Sequence, residues 1–357
     1  MGNVIFNKGS SSSTPRSHLS SLQLSHPVDC SPFLNWTEEA FESENEMAVV
    51  FRSLVATLRL QPVLDASLEA KAKTLLESVE NGLEDSADDF LKRFASSSDD
   101  SSTDFIQSIV VLISSPNRAI TTSAMELMES LTLWCSADIL LLLVKADLIP
   151  QIVKTLNPLS LSFSEALDIH MCLMKVIQYS FWLATPDGLE QLGIEDDDRQ
   201  QAGHEMVFQQ VLVPSEKYIS HLCVKCSSLV DGDQSRRFLA LLAQLLWICP
   251  YYQPAMEFVL HMPVFITIPS CLTFFENDHA IWYFLYYMVD AQRRWNKQGG
   301  AVRQMGTTVL RKLRMEGIEG VVERKLQNDQ NEYDGSLTVD NSIILSNLLG
   351  MNLPEQE

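Results

Sequence analysis

The most regular pattern of apolar and polar residues in the chain lies between residues 104 and 156. Four apolar residues near its start are spaced 3, 1 and 3 residues apart, namely Ile106, Ile109, Val110 and Ile113. This spacing places them on one side of a helix and predicts that this side is buried. Ser114-Ser115-Pro116-Asn117 follows and predicts a break, because proline cannot continue a helix and Ser and Asn compete for backbone hydrogen bonds.

A second apolar stripe begins directly after this break. It consists of Ile120, Ala124, Leu127, Met128 and Leu131, again at helical spacing. A short join separates this helix from a third apolar run at residues 139–144. Asp147 precedes the last helix of the stretch and is predicted to be its N-cap, while Pro150 is tolerated in the first turn.

One motif occurs twice in this stretch. Asp104-Phe105-Ile106 opens the first helix, and Asp147-Leu148-Ile149 opens the last, 43 residues later. A period of this length, built from several short helices, resembles armadillo/HEAT repeats. Residues 144–153 are similar to the join before the third helix of such a repeat, with Asp147 standing where that family typically has glycine.

The pattern returns more weakly at residues 262–266 and 315–326, so the resemblance extends over much of the chain. It implies an all-α fold, an armadillo/HEAT-like α-solenoid in which short antiparallel helices form a right-handed superhelix. The whole chain also looks like a member of a large family of uncharacterised helical proteins, a resemblance that implies a fold and no activity.

Three regions are predicted along the chain. Residues 1–35 form a flexible tail, because the first 30 residues contain eight serines and no apolar periodicity. Residues 36–335 form the helical repeat domain, and residues 336–357 form a C-terminal tail or cap. Ordered structure is expected to begin near Trp36.

Further helices are predicted on both sides of the central stretch. The first starts at Thr37 and carries an apolar stripe at Val49, Val50, Leu54 and Leu58. The others are predicted at residues 65–79, 86–95, 164–184, 195–211, 214–229, 278–295 and 301–315. Ser164 is predicted to cap the third of these helices, which ends in a turn at residues 185–188. A break is predicted before Pro214.

Composition narrows the classes of function. The formal net charge is −20, which argues against a nucleic-acid partner because phosphate binding needs a basic surface. Residues 36–104 carry 16 acidic and 6 basic side chains, a net charge of −10 that serves either as a solvated surface or as a surface for a cationic ligand. An apolar content of 46% excludes wholesale disorder.

The positions of the cysteines and the composition of the N-terminus indicate the cellular compartment in which the protein is expected. The seven cysteines are scattered, and most lie inside apolar helical runs, as is typical of buried thiols in a reducing compartment. A secretory signal would have a charged start followed by an apolar core, and the N-terminus does not show this pattern. No uncharged apolar run approaches the ~18 residues that a bilayer span needs. We therefore expect a cytoplasmic protein without a transmembrane segment, with the nucleus left open.

Motifs that carry chemistry are sparse. Cys223-Val224-Lys225-Cys226 is the one C-x-x-C sequence, whereas a structural zinc site usually needs two such pairs and a redox site needs a strand-to-helix junction. The acidic run at residues 195–198 lacks the spacing and the glycine of a calcium loop. Neither a G-x-S-x-G sequence nor a glycine-rich phosphate loop is present. We therefore expect no metal, no cofactor and no catalytic residues.

Two segments are candidates for partner binding. Residues 247–295 hold 13 of the 30 aromatic residues, which form either a thick core or a groove for a partner's peptide. Residues 291–325 carry nine basic and three acidic side chains, net +6, which are either solvated charges or a basic face for an acidic or phosphorylated protein. The candidate residues of the basic face are Arg293, Arg294, Lys297, Arg303, Arg311, Lys312 and Arg314.

The function expected from these features is that of a non-catalytic protein-binding scaffold or adaptor. A regulatory subunit controlled by phosphorylation of its tail is the alternative, since Thr14-Pro15 and Ser31-Pro32 are candidate acceptor sites. A hydrolase or transferase with a pocket lined by His and Cys is a third hypothesis. It would require a histidine within hydrogen-bond reach of a nucleophile in a cleft.

Overall fold

The computed structural model describes residues 29–37, 41, 43–83, 87–95, 101–162, 166–194 and 197–227, together with residues 254–255 and eight residues between 311 and 323. Within these ranges every regular element is helical and there is no strand. The all-α prediction is therefore confirmed for this part of the chain. Its helices are α1 (Ser31–Asn35), α2 (Glu44–Leu60), α3 (Ala66–Asn81), α4 (Ala87–Ala95), α5 (Ser101–Ile113), α6 (Arg118–Trp134), α7 (Ala137–Lys145), α8 (Leu148–Leu156), α9 (Leu167–Trp182), α10 (Pro186–Gln191), α11 (Asp197–Val207) and α12 (Val213–Ser227).

Two of the predicted helix starts have side-chain caps. The Asp65 carboxylate accepts hydrogen bonds from the N–H groups of Ser67 and Leu68, at 3.0 and 2.9 Å, and α3 follows. The Asn117 side chain accepts from the N–H of Ala119 at 2.8 Å, and α6 follows. Each cap satisfies backbone donors that have no partner in the first turn of a helix. The helix predicted over residues 65–79 and the break before α6 are both confirmed.

The apolar stripes predicted in the central stretch face the core. All five residues of the α6 stripe are buried, from Ile120 to Leu131. In α5, Val110 is partly buried, and the fully buried positions are Phe105, Ile106, Ile109, Leu112 and Ile113. The short run at residues 139–144 lies in α7, and the last predicted helix is α8. The spacing of apolar residues was sufficient to orient these helices.

Asp147 occupies the N-cap position of α8, as predicted, but its side chain makes no capping hydrogen bond. Its backbone is left-handed, with φ 64° and ψ 33°. This conformation allows the chain to turn sharply between α7 and α8, and it favours glycine because a Cβ atom makes it unfavourable. The predicted capping role is therefore wrong, and the residue serves the turn through its backbone.

The longer helices pack in two rows. α6 packs against both α3 and α9, and these three helices form the first row. In the second row α5 packs against both α2 and α8, and α12 packs against α8. Helices that are not neighbours in sequence therefore lie side by side, and the buried apolar residues of both rows belong to one core cluster.

Polar and charged side chains connect α3 to α6. Lys73 and Glu77 interact electrostatically with Glu126 of α6. Glu80, about one turn later in α3, accepts a hydrogen bond of 2.8 Å from Ser130, about one turn later in α6. Glu80 is also the strongest charged neighbour of Glu126, so the end of α3 lies against the middle of α6.

Charged side chains also connect α6 to α9. Asp168, near the start of α9, interacts electrostatically with Glu126. Lys175, two turns later, forms an ion pair with Glu129, which lies one turn after Glu126. The interactions follow the same order along α6 and α9, as they do between helices that run in the same direction.

Helices α11 and α12 are joined without a break by a π-helical turn at Phe208–Leu212. The N–H of Val213 bonds to the carbonyl of Phe208, five residues earlier. Pro214 has no N–H, and the wide turn before it lets the helix continue through the proline. The Ser215 hydroxyl donates to the Val211 carbonyl at 2.7 Å. The predicted break before Pro214 is therefore wrong.

Packed structure begins earlier in the chain than predicted. Helix α1 lies within the region assigned to the tail, and its Phe33 is fully buried. Helix α2 begins at Glu44 rather than Thr37. Val49 was predicted to lie on the buried stripe, but it is 41% exposed. Buried positions on this helix recur every three or four residues, and Val49 lies one position before the buried Val50. The other three predicted positions are buried, namely Val50, Leu54 and Leu58.

The remaining predictions have mixed outcomes. The long helix predicted from Ser164 begins at Leu167, and Ser164 lies outside the described residues. The turn predicted at residues 185–188 starts α10, where Thr185 accepts a hydrogen bond from the N–H of Gly188 at 3.0 Å. The predicted tails and helices at residues 1–28, 278–295, 301–315 and 336–357 lie wholly or largely outside the described ranges. Among the described helices, none has the length and apolarity needed to span a bilayer.

Candidate functional site

The structure describes two of the seven candidate residues of the basic face. Arg311 and Arg314 are both exposed. Arg314 Nε donates to Glu319 Oε1 at 2.7 Å, so this guanidinium already has an acidic neighbour on its own segment. The other five lie outside the described residues: Arg293, Arg294, Lys297, Arg303 and Lys312. The basic face thus stays a prediction.

The other sequence candidates are only partly visible. The C-x-x-C motif lies within α12, as predicted, with Val224 and Lys225 exposed, while the side chains of its two cysteines are outside the described set. Of the aromatic segment at residues 247–295, only Pro254 and Ala255 are described. No group of three or more His, Cys, Asp or Glu side chains suited to a metal ion occurs among the described residues.

A surface that sequence reasoning did not identify is formed by the first row of helices. Each of α3, α6 and α9 directs a stripe of polar, mostly half-buried side chains away from the core. Each position lies three, four or seven residues from another in its stripe, so the stripe follows one side of its helix. We call this surface the three-helix face, and its residues are Lys73, Glu77, Glu80, Thr122, Glu126, Glu129, Ser130, Asp168, Lys175, Gln178 and Tyr179.

Direct contacts between side chains connect the three helices across this face. The Ser130 hydroxyl donates to Glu80 Oε1 at 2.8 Å, which joins α6 to α3. Lys175 Nζ donates to Glu129 Oε1, which joins α6 to α9. Both bonds involve a charged partner, and such bonds are stronger than those between neutral groups. They connect the outward side of α6 to both of its neighbours in the first row.

Glu126 lies in the middle of the face among other carboxylates. Burial, followed by the negative charges of Glu80, Asp168 and Glu77, raises its pKa, and Lys73 only partly offsets this effect. The three-helix face contains five carboxylates and two lysines, so its formal charge is −3. Ionised Glu126 is therefore held in an electrostatically unfavourable place, and a nearby positive charge would stabilise it.

Glu129 affects the pKa values of three neighbouring groups on α9. Burial alone would lower the pKa of Lys175, but the hydrogen bond and the charge of Glu129 outweigh it and raise that pKa. Burial and the same carboxylate raise the pKa of the Tyr179 hydroxyl. Burial and the Glu129 charge also raise the pKa of the Cys172 thiol, which favours its neutral form over a nucleophilic thiolate.

The face ends in apolar side chains. Leu133 lies seven residues after Glu126, on the same side of α6, and is 46% exposed. Trp134 follows and is equally exposed. On α9, Trp182 lies seven residues after Lys175 and is half-buried. Large apolar side chains therefore lie beyond the acidic part of the face, at the ends of α6 and α9.

His170 belongs to a different environment, the buried contact between α9 and α12. Its ring stacks on Tyr218 with centroids 5.8 Å apart. The Tyr218 hydroxyl lies 3.1 Å from His170 Nδ1 and donates to the His170 carbonyl at 3.2 Å. Burial, and to a lesser degree the charge of His221, lower the pKa of His170 to about 4. The histidine is thus a neutral packing group rather than a base in a cleft.

No family model, no curated protein and no solved structure matches the chain. The site must therefore be assessed from its own geometry. Sequence contained one signal for it, the pairs of acidic residues three apart at Glu77/Glu80 and Glu126/Glu129. That signal could not reveal the face, because sequence does not show that α3, α6 and α9 lie side by side.

Proposed function

We propose that the protein is a non-catalytic scaffold that binds another protein along the three-helix face. One observation carries the proposal: three long helices, separated in sequence, lie side by side and join their polar stripes into one surface. Surfaces of this kind receive an extended segment of a partner, because equivalent positions recur at each helix.

The same geometry supports an armadillo/HEAT-like solenoid as the architecture. α4, α5 and α6 form one unit, and α7, α8 and α9 form the next, each ending in the longest helix of the unit. The last helices of both units lie in the first row, and the middle helices α5 and α8 lie in the second. Repetition of one unit along one direction, with each unit packing on its neighbours, is how a solenoid is built.

The charge and composition of the face favour a partner segment that carries Lys or Arg next to an apolar side chain. The cationic group would lie near Glu126, where four charged groups of α3 and α9 leave a net negative environment. The apolar group would pack on Leu133 and Trp134, which are exposed at the end of the same stripe.

Site-specific photo-crosslinking tests the location of binding. A benzophenone amino acid would replace Thr122, on the outward side of α6, or, as the control, the exposed Asp138 of α7. We expect crosslinks to a bound protein from position 122 and not from position 138. Glu126→Gln should weaken that crosslink, and Asp138→Asn should not. Equal crosslinking from both positions, or none from position 122, would contradict the proposal.

A second binding surface is proposed at the basic face of residues 291–325. Its support is the segment charge of +6 in a chain of −20, together with the exposure of Arg311 and Arg314. An acidic or phosphorylated protein segment is the partner that such guanidinium groups recognise, because they form two parallel hydrogen bonds with carboxylate or phosphate.

A further inference from the structure

We draw no further inference here: the strongest candidate, the cluster of carboxylates around Glu126 on the three-helix face, belongs to the site already described, and nothing else in the described part of the chain points to a ligand there.

Discussion

The buried imidazole of His170 should make the stability of this fold depend on pH. The residue is 1% exposed, and its ring packs on Tyr218 where α9 meets α12. Burial and the charge of His221 lower its pKa from 6.5 to about 4. The unfolded chain therefore binds a proton at this residue over a range of pH in which the folded protein does not.

The sign and size of the effect follow from this difference. Because the folded protein binds fewer protons, the stability contributed by neutral His170 is fully present above pH 6.5 and is lost as the pH falls towards 4. The whole difference corresponds to about 3 kcal/mol in the free energy of unfolding. About 2 kcal/mol of it should disappear between roughly pH 7.5 and pH 5.

The variant His170→Gln isolates this contribution. Glutamine keeps a hydrogen-bonding group opposite the Tyr218 hydroxyl but does not titrate. Urea unfolding of both proteins at the two pH values gives the free energy of unfolding, and every other titrating group contributes to both measurements alike. The wild type should lose about 2 kcal/mol more than the variant on acidification. Equal losses in the two proteins would refute the reasoning.

Three further changes test other parts of the structure. Leu131→Ala should lower the free energy of unfolding by about 2–5 kcal/mol, because Leu131 is buried in α6. Thr122→Ala, on the outward side of the same helix, should lower it by less than about 0.5 kcal/mol. Equal effects would mean that the buried side of α6 is misassigned. Gly188→Ala should cost about 1–3 kcal/mol in thermal unfolding, because its Cβ would lie 2.5 Å from the Trp182 carbonyl oxygen. Replacement of Arg303, Arg311 and Arg314 by Glu should leave the circular dichroism spectrum unchanged and abolish salt-sensitive capture of an acidic partner; unchanged capture would show that these charges are only solvated.

Local patterns were sufficient to predict the central helices. Spacings of three and four residues identified the buried sides of α5 and α6, and the break at Pro116 and Asn117 separated them. These features depend on residues within a few turns of one another, so they can be recognised without knowledge of the fold. The start of α3 was also predicted from local sequence, and the structure shows that the Asp65 side chain caps this helix.

The errors arose where a remote contact or an unusual backbone decided the outcome. Pro214 indicated a break, but a π-helical turn let the helix continue through it. Phe33 lay in a serine-rich stretch, and only its packing against α2 made α1 part of the domain. The three-helix face depended on the adjacency of helices about fifty residues apart in sequence, which a period of apolar residues does not specify.

Asp147 connects the sequence pattern to the architecture. Its left-handed backbone closes the turn between α7 and α8, and that turn sets the direction in which α8 packs against α5. An aspartate is unfavourable in this conformation by about 1–2 kcal/mol relative to glycine, so packing on both sides must offset the cost. Leu148 and Ile149 are fully buried directly after it and supply that packing. At Asp147 the recurring motif therefore marks the turn into α8, whereas at Asp104 the same motif lies inside α5, which begins at Ser101.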